Sequence, residues 1–375
     1  MMLHAFHRKE GAVLRKFIPV PLAVIMLIFP YGTGRAEVKI VEADGTYSMG
    51  DNDSKIDARR IATQEAKRKA LELAGSYVES MTQVQNYQLT NDEIKSYTAG
   101  ILETEIVSEQ MGGTTDHPQI SIKARCKIDT DTVAAQIKRY RESEELKEQL
   151  HSAMQDKEAL QRERDQLVKQ LAAQTNKSQA AATQKKLDTV LAKEEANDET
   201  DKVWKNIGLQ LFEAERNGQA INSEDLDKAS QVLKKTVAAN PQNLRARTLL
   251  AAVYQRERNF SAAEQELRAA IQTNPSNASL HRRLGDLFTA QGRYRDALRE
   301  YHFVERMKPH NALIYYSIGM TYKAMMKCGL AVQNLNRFVK NPQSGKFPHK
   351  KDEAIQTIEE CGGSRPGRRV RHQAK

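Results

Sequence analysis

Cysteine and histidine are the residues here best suited to nucleophilic or metal chemistry, and their spacing favours neither. The chain has three cysteines, Cys126, Cys328 and Cys361, and nine scattered histidines. No cluster of histidine, cysteine and aspartate has the spacing of a zinc site. The sequence also lacks a glycine-rich phosphate loop and a Gly-x-Ser-x-Gly turn. We therefore predict that the protein is not an enzyme and uses no cofactor or metal ion, and that His281 and His302 are helix-surface residues.

Positive charge is concentrated at the two ends of the chain. The formal net charge is +10, and residues 1–36 and 362–375 carry nearly all of that excess. A nucleic-acid-binding protein would carry a basic face on its folded body. The near-neutral body argues against a nucleic-acid partner. The basic tail after residue 362 is predicted to be disordered, either as a solubilising segment or as a contact to anionic lipid or cell-wall polymer.

Residues 1–36 have the pattern of an export signal. The basic residues Arg15 and Lys16 precede the apolar run Phe17–Phe29, and a small-x-small sequence follows at residues 34–36. This pattern predicts cleavage after Ala36. The apolar run is shorter than the roughly 20 residues that a membrane-spanning helix needs. We therefore predict a periplasmic protein, and an uncleaved segment that anchors it in the inner membrane is the alternative.

Residues 37–135 are predicted to form a small α+β module. Strands are expected at Val38–Tyr47, from Ile101 to Val107, and at Ile120–Ile128, where apolar and polar residues alternate strictly. Between the first two strands, alanines recur every four residues from Ala58 to Ala74. Such a ridge lets a helix approach its neighbour closely. The module is therefore a helix on a small antiparallel sheet, with Cys126 as a core residue rather than a reactive thiol.

The order of motifs in this module resembles the N-terminal domain of the flagellar assembly protein T family. The similarity covers about residues 38–135. It rests on the alanine helix, on Gly75-x-Tyr77-Val78-x-Ser80 and on Ser96-x-x-x-Gly100. The other domains of that family have no counterpart in this chain. The resemblance implies a role in a cell-envelope assembly.

Residues 136–200 are predicted to be a helical spacer. Leucines recur at coiled-coil spacing, and Lys157 and Arg164 interrupt the same seam. The leucines of this seam are Leu146, Leu150, Leu160, Leu167 and Leu171. The pattern fits a homo-oligomeric coiled coil through residues 146–171 and equally a lone charged helix that holds two domains apart. The polar stretch Gln174–Gln184 is predicted to break the helix as a linker.

Prolines recur at a nearly constant interval in the C-terminal half. Pro241, Pro275 and Pro309 are 34 residues apart, and Pro342 follows 33 residues later. A period of this length is typical of helical-hairpin repeats. A single hairpin cannot bury its apolar face alone, so successive hairpins stack. The predicted fold class is an α+β N-terminal module, a helical spacer, and an all-α superhelix over residues 201–361.

These repeats resemble tetratricopeptide repeats. In the unit that fits best, residues 278–311, Leu284, Gly285 and Phe288 lie in the first helix and Ala297 in the second. Residues 244–277 and 312–345 give two further units, and a first, irregular unit begins near Trp204. The resemblance implies four stacked helix pairs that bind a protein or peptide partner.

A final helix, Lys350–Glu360, is predicted to cap the stack. It would run antiparallel to the helix Leu330–Lys340 and bring Cys361 beside Cys328. A disulfide between them would stabilise the fold by roughly 3–4 kcal/mol on the chain-entropy estimate. Two unpaired thiols are the equal alternative.

The surface expected to bind a partner is lined by the first helix of each repeat. Counting positions within the repeats selects Arg245, Thr248, Gln255, Arg282, Asp286, Tyr316, Met320 and Lys323. The three basic residues among them would pair with carboxylates of a peptide, and Tyr316 and Met320 would form an adaptable apolar pocket. We call these eight residues, together with Ser279 and Thr289, the first-helix face.

Two functions fit these observations. The first is an exported, non-enzymatic scaffold that binds protein partners through the first-helix face in a cell-envelope assembly. The second is a structural oligomer of an envelope or flagellar ring, built by the N-terminal module and the coiled segment.

Overall fold

The computed structural model describes residues 38–50, 53–84, 89–115, 117–208, 210–211 and 221–362. The predicted export signal and nearly all of the basic tail lie outside these residues. The described chain contains three strands, β1 (Val38–Ser48), β2 (Thr104–Gly113) and β3 (Pro118–Asp129). None of its helices is both long enough and apolar enough to cross a membrane.

Thirteen helices are found in the described residues. The first five are α1 (Lys55–Val84), α2 (Asn91–Ile101), α3 (Thr130–Glu142), α4 (Glu144–Ala173) and α5 (Lys177–Val203). A π-helical turn at Trp204–Gly208 follows. The others are α6 (Ser223–Ala239), α7 (Leu244–Arg256), α8 (Phe260–Thr273), α9 (Ala278–Ala290), α10 (Tyr294–Met307), α11 (Ala312–Ala324), α12 (Cys328–Lys340) and α13 (Pro348–Glu360). The predicted fold class, an α+β module followed by a helical superhelix, is confirmed.

The module is an antiparallel sheet in the order β1-β3-β2, with α1 packed on one face. The alanine ridge of α1 is completely buried, as are Ala124, Cys126 and Ile128 of β3. A side chain on Gly45 of β1 would collide with the backbone of Ala62 in α1, so this close approach requires glycine. The prediction that Cys126 is a core residue is confirmed.

The second strand begins later than the sequence pattern suggested. Ile101, predicted as a strand residue, is the last residue of α2, and β2 starts at Thr104. A capping box formed by Thr90 and Glu93 fixes the start of α2. Because Ile101 is buried on that helix, its apolar character reflects helix packing rather than strand alternation.

Residues 144–203 form an antiparallel helical hairpin that packs against the rest of the chain. Leu160, Leu167 and Leu171 of α4 pack with residues of α5 and with Ile61 of α1, in one buried cluster. Leu146 and Leu150 belong to the core shared by the module and the first repeats. The leucine seam is therefore filled within the chain. An intermolecular coiled coil through residues 146–171 and an isolated spacer helix are both wrong.

The break between α4 and α5 is much shorter than the predicted linker. Only residues 174–176 lie outside helices, because Asn176 caps α5 by accepting hydrogen bonds from the backbone N–H groups of Ser178 and Gln179. Most of the polar stretch up to Gln184 thus belongs to α5.

Charged residues in the leucine seam are paired inside the hairpin. Arg164 Nη1 lies 3.1 Å from the Glu194 carboxylate, and both side chains are about 95% buried, at 4% and 6% exposure. Asp198 of α5 pairs with Lys157 of α4, at 3.4 Å, and with Lys67 of α1, at 2.6 Å. Burial raises the pKa of Asp198, but the two lysines outweigh it and hold this pKa well below its usual range. The Lys67–Asp198 pair joins the module to the hairpin.

The repeats follow the predicted period. The first helices α7, α9 and α11 begin at Leu244, Ala278 and Ala312, 34 residues apart, and each packs on the helix that follows it. Gly285 of α9 lies against the ring of Tyr301 in α10, where a Cβ would come within 2.5 Å of the ring. Helix α13 closes the stack against α12, with Ala354 and Ile358 buried. A disulfide joins Cys328 to Cys361, with their Cα atoms 5.2 Å apart.

Candidate protein-binding surface

The first-helix face is covered at both ends by other helices of the same chain. The α4–α5 hairpin lies over its N-terminal end, and α13 lies over its C-terminal end. The residues predicted to bind a partner therefore fall into three groups with different surroundings.

At the N-terminal end, Arg245 is only 3% exposed. Its Nη1 donates to Asp201 of α5 at 2.6 Å, and its Nη2 donates to the carbonyl oxygen of Gln149 in α4 at 3.2 Å. Its guanidinium also lies 4.8 Å from the ring centroid of Trp204. Thr248 is fully buried. The prediction that Arg245 and Thr248 contact a partner is wrong, because the hairpin already occupies their surroundings.

Next along the face, a carboxylate of the hairpin is held by the repeats. Glu148 of α4 accepts hydrogen bonds from the hydroxyl of Ser279 in α9 and from the ammonium group of Lys308, which follows α10. Sequence reasoning missed Glu148 and Lys308 because no local pattern marks a contact between residues so far apart in the chain.

At the C-terminal end, α13 contacts Tyr316, Met320 and Lys323, the three residues predicted there to bind a partner. The Tyr316 hydroxyl donates to Glu353, and Lys323 Nζ donates to Glu360 at 2.7 Å and to the Thr357 hydroxyl at 3.2 Å. The Thr357 hydroxyl also lies 3.9 Å from the Met320 sulfur atom. Burial and then Glu353 raise the pKa of Tyr316 far above its usual value. In the described structure these three residues support the cap rather than an open pocket.

The middle of the face is held by contacts among the repeats. Asp286 accepts hydrogen bonds from Arg282 Nη1 at 2.5 Å and from the Tyr301 hydroxyl at 2.7 Å. Thr289 donates to the carbonyl oxygen of Gly285 at 3.0 Å. Within the described part of the chain, no hydrogen bond joins Gln255, Asp286 or Thr289 to α4, α5 or α13. These three residues form the uncovered middle of the first-helix face.

The residues suited to catalysis have structural surroundings. Burial raises the pKa of Cys126 to about 11, so its thiol is protonated at neutral pH and is a poor nucleophile. His281 is half-buried rather than exposed, because it bridges the Glu300 carboxylate, at 2.7 Å, and the carbonyl oxygen of Pro275, at 3.0 Å. Among residues that the structure describes, no three histidine, cysteine, aspartate or glutamate side chains could hold a metal ion.

Comparisons with known proteins agree with the repeat fold. Residues 220–287 match the family model for the tetratricopeptide repeat. This match does not reach residues 38–135, so the resemblance to flagellar assembly protein T stays a prediction. A comparison with curated proteins found no match.

Several solved structures are similar to parts of the chain. MamA AMB-1 is 18% identical over 48% of this chain and 96% of that chain, with a TM-score of 0.31. Another crystal structure of MamA is 24% identical over 35% of this chain and 71% of that chain, with a TM-score of 0.28. An O-GlcNAc transferase mutant from Thermobaculum terrenum is 20% identical over 37% of this chain and 26% of that chain, with a TM-score of 0.29.

Proposed function

We propose that the protein is a non-enzymatic scaffold that binds an acidic segment of a partner protein on the first-helix face. The observation that carries this proposal is that this face, together with Lys308 beside it, already holds two carboxylates of the same chain. Ser279 and Lys308 hold Glu148, and Lys323 holds Glu360, each from a helix of the same chain. Charge-assisted hydrogen bonds of this kind are among the stronger polar contacts in proteins.

The partner is expected to use the uncovered middle of the face and to displace Glu148 from its donors. Lys308 and Glu148 are 43% and 27% exposed, so their pair is accessible to solvent. An exposed ion pair contributes only about 0–1 kcal/mol. A partner carboxylate can therefore compete for Lys308 without unfolding the repeats.

Site-specific photo-crosslinking in cells tests this proposal. A photo-reactive amino acid replaces Gln255, in the uncovered middle of the face, or Gln265, an exposed residue of the second helix α8 of the same repeat. We expect a discrete crosslinked product from position 255 and none of the same size from position 265. Equal products from both positions, or none from position 255, would contradict the assignment of the face.

We further propose that the scaffold is exported and works in the cell envelope. The basic and apolar pattern of residues 1–36 and the small-x-small sequence at residues 34–36 support this proposal. Cell fractionation and the mass of the purified protein test it. We expect a periplasmic protein that begins at Glu37. A cytoplasmic protein that retains Met1 would contradict export.

The alternative, a structural oligomer, was based mainly on the leucines of residues 146–171. The leucine seam that would have joined several copies is buried inside one chain. We therefore favour the scaffold.

A further inference from the structure

A cleft separates the alanine helix of the module from the α4–α5 hairpin. It lies between α1, α2, α4 and α5 and has a volume of about 490 Å³. This volume is within the range of small-molecule sites in proteins. Of the residues predicted to bind a partner, Arg245 alone lines this cleft, at its inner end.

One side of the cleft is apolar. Leu71 of α1, Ile94 of α2, and Leu150, Ala153 and Met154 of α4 line it. Two glycines, Gly75 and Gly100, also line the cleft. This side can accept a hydrocarbon chain or an aromatic ring because apolar surface is favourably removed from water there.

The inner end of the cleft is polar and largely buried. Arg164 and Arg245 line it and are 4% and 3% exposed. Arg164 is paired with Glu194. Arg245 uses Nη1 and Nη2 in hydrogen bonds, but its Nε has no acceptor among the described residues. A buried donor without an acceptor is unfavourable, so an acceptor bound in the cleft would be stabilising.

The acidic residues near the mouth of the cleft have basic neighbours. Glu72 pairs with Arg68 at 2.5 Å, and Glu158 lies 3.9 Å from Arg162. Lys95 of α2 also lines the cleft and is exposed. Across the whole lining, six basic side chains accompany five acidic ones. At the inner end Arg164 is paired with Glu194 and Arg245 with Asp201, so the donor left for an anionic group there is Arg245 Nε.

We propose that this cleft binds a small amphipathic anion, with its apolar body against α2 and α4 and its anionic group at Arg245. Arg245 belongs to the first helix of a repeat, and α1 and α2 belong to the module. The bound molecule would therefore join the module to the repeats and stabilise their contact. This inference does not depend on the proposed protein-binding function.

Trp204 provides the readout, because it is the single tryptophan of the chain and Arg245 lies over its ring. The mature full-length chain is titrated with decanoate and, separately, with decyltrimethylammonium, both below their micelle concentrations. These probes share an apolar chain and differ in the sign of the head group. We expect decanoate to change the Trp204 emission in a saturable way and to raise the melting temperature, and decyltrimethylammonium to do neither. Equal responses to both probes would overturn the anionic specificity.

Two substitutions on α4 locate the binding site. Ala153→Phe fills the cleft, and we expect it to weaken decanoate binding at least tenfold. Ala172→Phe, at an exposed position of the same helix outside the cleft, should bind decanoate as the wild type does. If Ala153→Phe does not fold, Met154→Glu is used instead, since a carboxylate there repels the anion. Wild-type affinity in the folded cleft variant, or no response of the wild type to decanoate, would overturn the proposal.

Discussion

Lys308, which follows helix α10 of the repeats, is paired with Glu148 of the α4–α5 hairpin, although 160 residues separate them in the chain. This contact shows that the hairpin folds back onto the repeats instead of holding them away from the module. It also shows that the repeats hold a carboxylate beside the first-helix face.

The disulfide of the cap is expected to contribute strongly to stability. It closes a loop of 33 residues, for which the chain-entropy estimate is roughly 3–4 kcal/mol. We expect Cys328→Ser with Cys361→Ser to lower the free energy of unfolding by about this amount in urea titrations, because the reduced unfolded chain has more freedom. Cys126→Ala serves as the control without a disulfide change. An unchanged urea midpoint in the double variant, or two free thiols in the intact mass of the purified protein, would contradict the prediction.

Two adjacent glutamates of α5 should respond very differently to the same substitution. Glu194→Gln removes the buried carboxylate from Arg164 and leaves it only the half-exposed Asp165, at 2.9 Å, and breaking a buried pair costs roughly 3–5 kcal/mol. Glu195 is 54% exposed and pairs with Arg60 at the surface, so Glu195→Gln should cost less than about 1 kcal/mol. Chemical unfolding of both variants checks this difference. Equal losses would show that the Arg164–Glu194 pair is not an important contact in the hairpin.

Gly285 should not tolerate alanine. The new Cβ would press on the ring of Tyr301, and overpacking of this kind typically costs about 1–3 kcal/mol. Gly329 of α12 is the matched control, because a Cβ there meets nothing within 4 Å. Since alanine has the higher helix propensity, Gly329→Ala should be neutral or stabilising by up to about 1 kcal/mol. Thermal unfolding of both variants tests the prediction, and it fails if Gly285→Ala is as stable as the wild type.

His281 should make the third repeat slightly more stable at low pH. Burial lowers the pKa of His281, but the hydrogen bonds to Glu300 and Pro275 outweigh it, so the pKa in the folded state is raised. Because the pKa is higher in the folded state, protonated His281 stabilises the fold. This stabilisation is complete below the pKa of the unfolded state, about 6.5, and is lost as the pH rises through the pKa of the folded state. The effect should be less than about 1 kcal/mol because the group is partly solvated.

The variants His281→Gln and His310→Gln test this pH dependence. His310 is exposed between α10 and α11 and is the control. The quantity compared is the free energy of unfolding at pH 5.5 minus that at pH 8. It should be lower for His281→Gln than for the wild type, because the variant lacks the stabilisation at low pH, and it should be unchanged in His310→Gln. The same difference in both proteins would assign the pH dependence to other groups.

The sequence predicted those parts of the fold that depend on local spacing. The 34-residue period placed α7 to α12 because each repeat contacts mainly its neighbours in the chain. The alanine ridge of α1 is also a matter of local spacing, since alanines four residues apart lie on one side of a helix, and it indicated a close helix–sheet contact. The leucine seam of α4 showed that this helix is buried, but it did not show against what. Complementary charges could have identified α5 as the neighbour of α4. Lys157 precedes Arg164 in α4, and their partners Asp198 and Glu194 occur in the reverse order in α5, as expected for antiparallel helices.

The candidate site was predicted less well than the fold. Counting positions within repeats identified which side chains lie on the first helices, and it assumed that nothing covers them. Arg245 and Lys323 were therefore assigned to a partner, although Asp201 and Glu360 of the same chain already bind them. Such long-range contacts depend on the packing of whole helices, which the repeat pattern does not encode.

The effect of Glu148 on partner crosslinking tests the central claim most directly. If a partner's acidic segment replaces Glu148 at Lys308 and Ser279, Glu148→Ala should free these donors and increase the crosslinking yield from position 255 at least twofold. The variant Glu163→Ala, at an exposed position of the same helix away from Lys308, Ser279 and the cleft, should leave the yield unchanged. An unchanged or lower yield in Glu148→Ala, with the protein folded, would contradict the claim that the partner and the chain's own helix share the first-helix face.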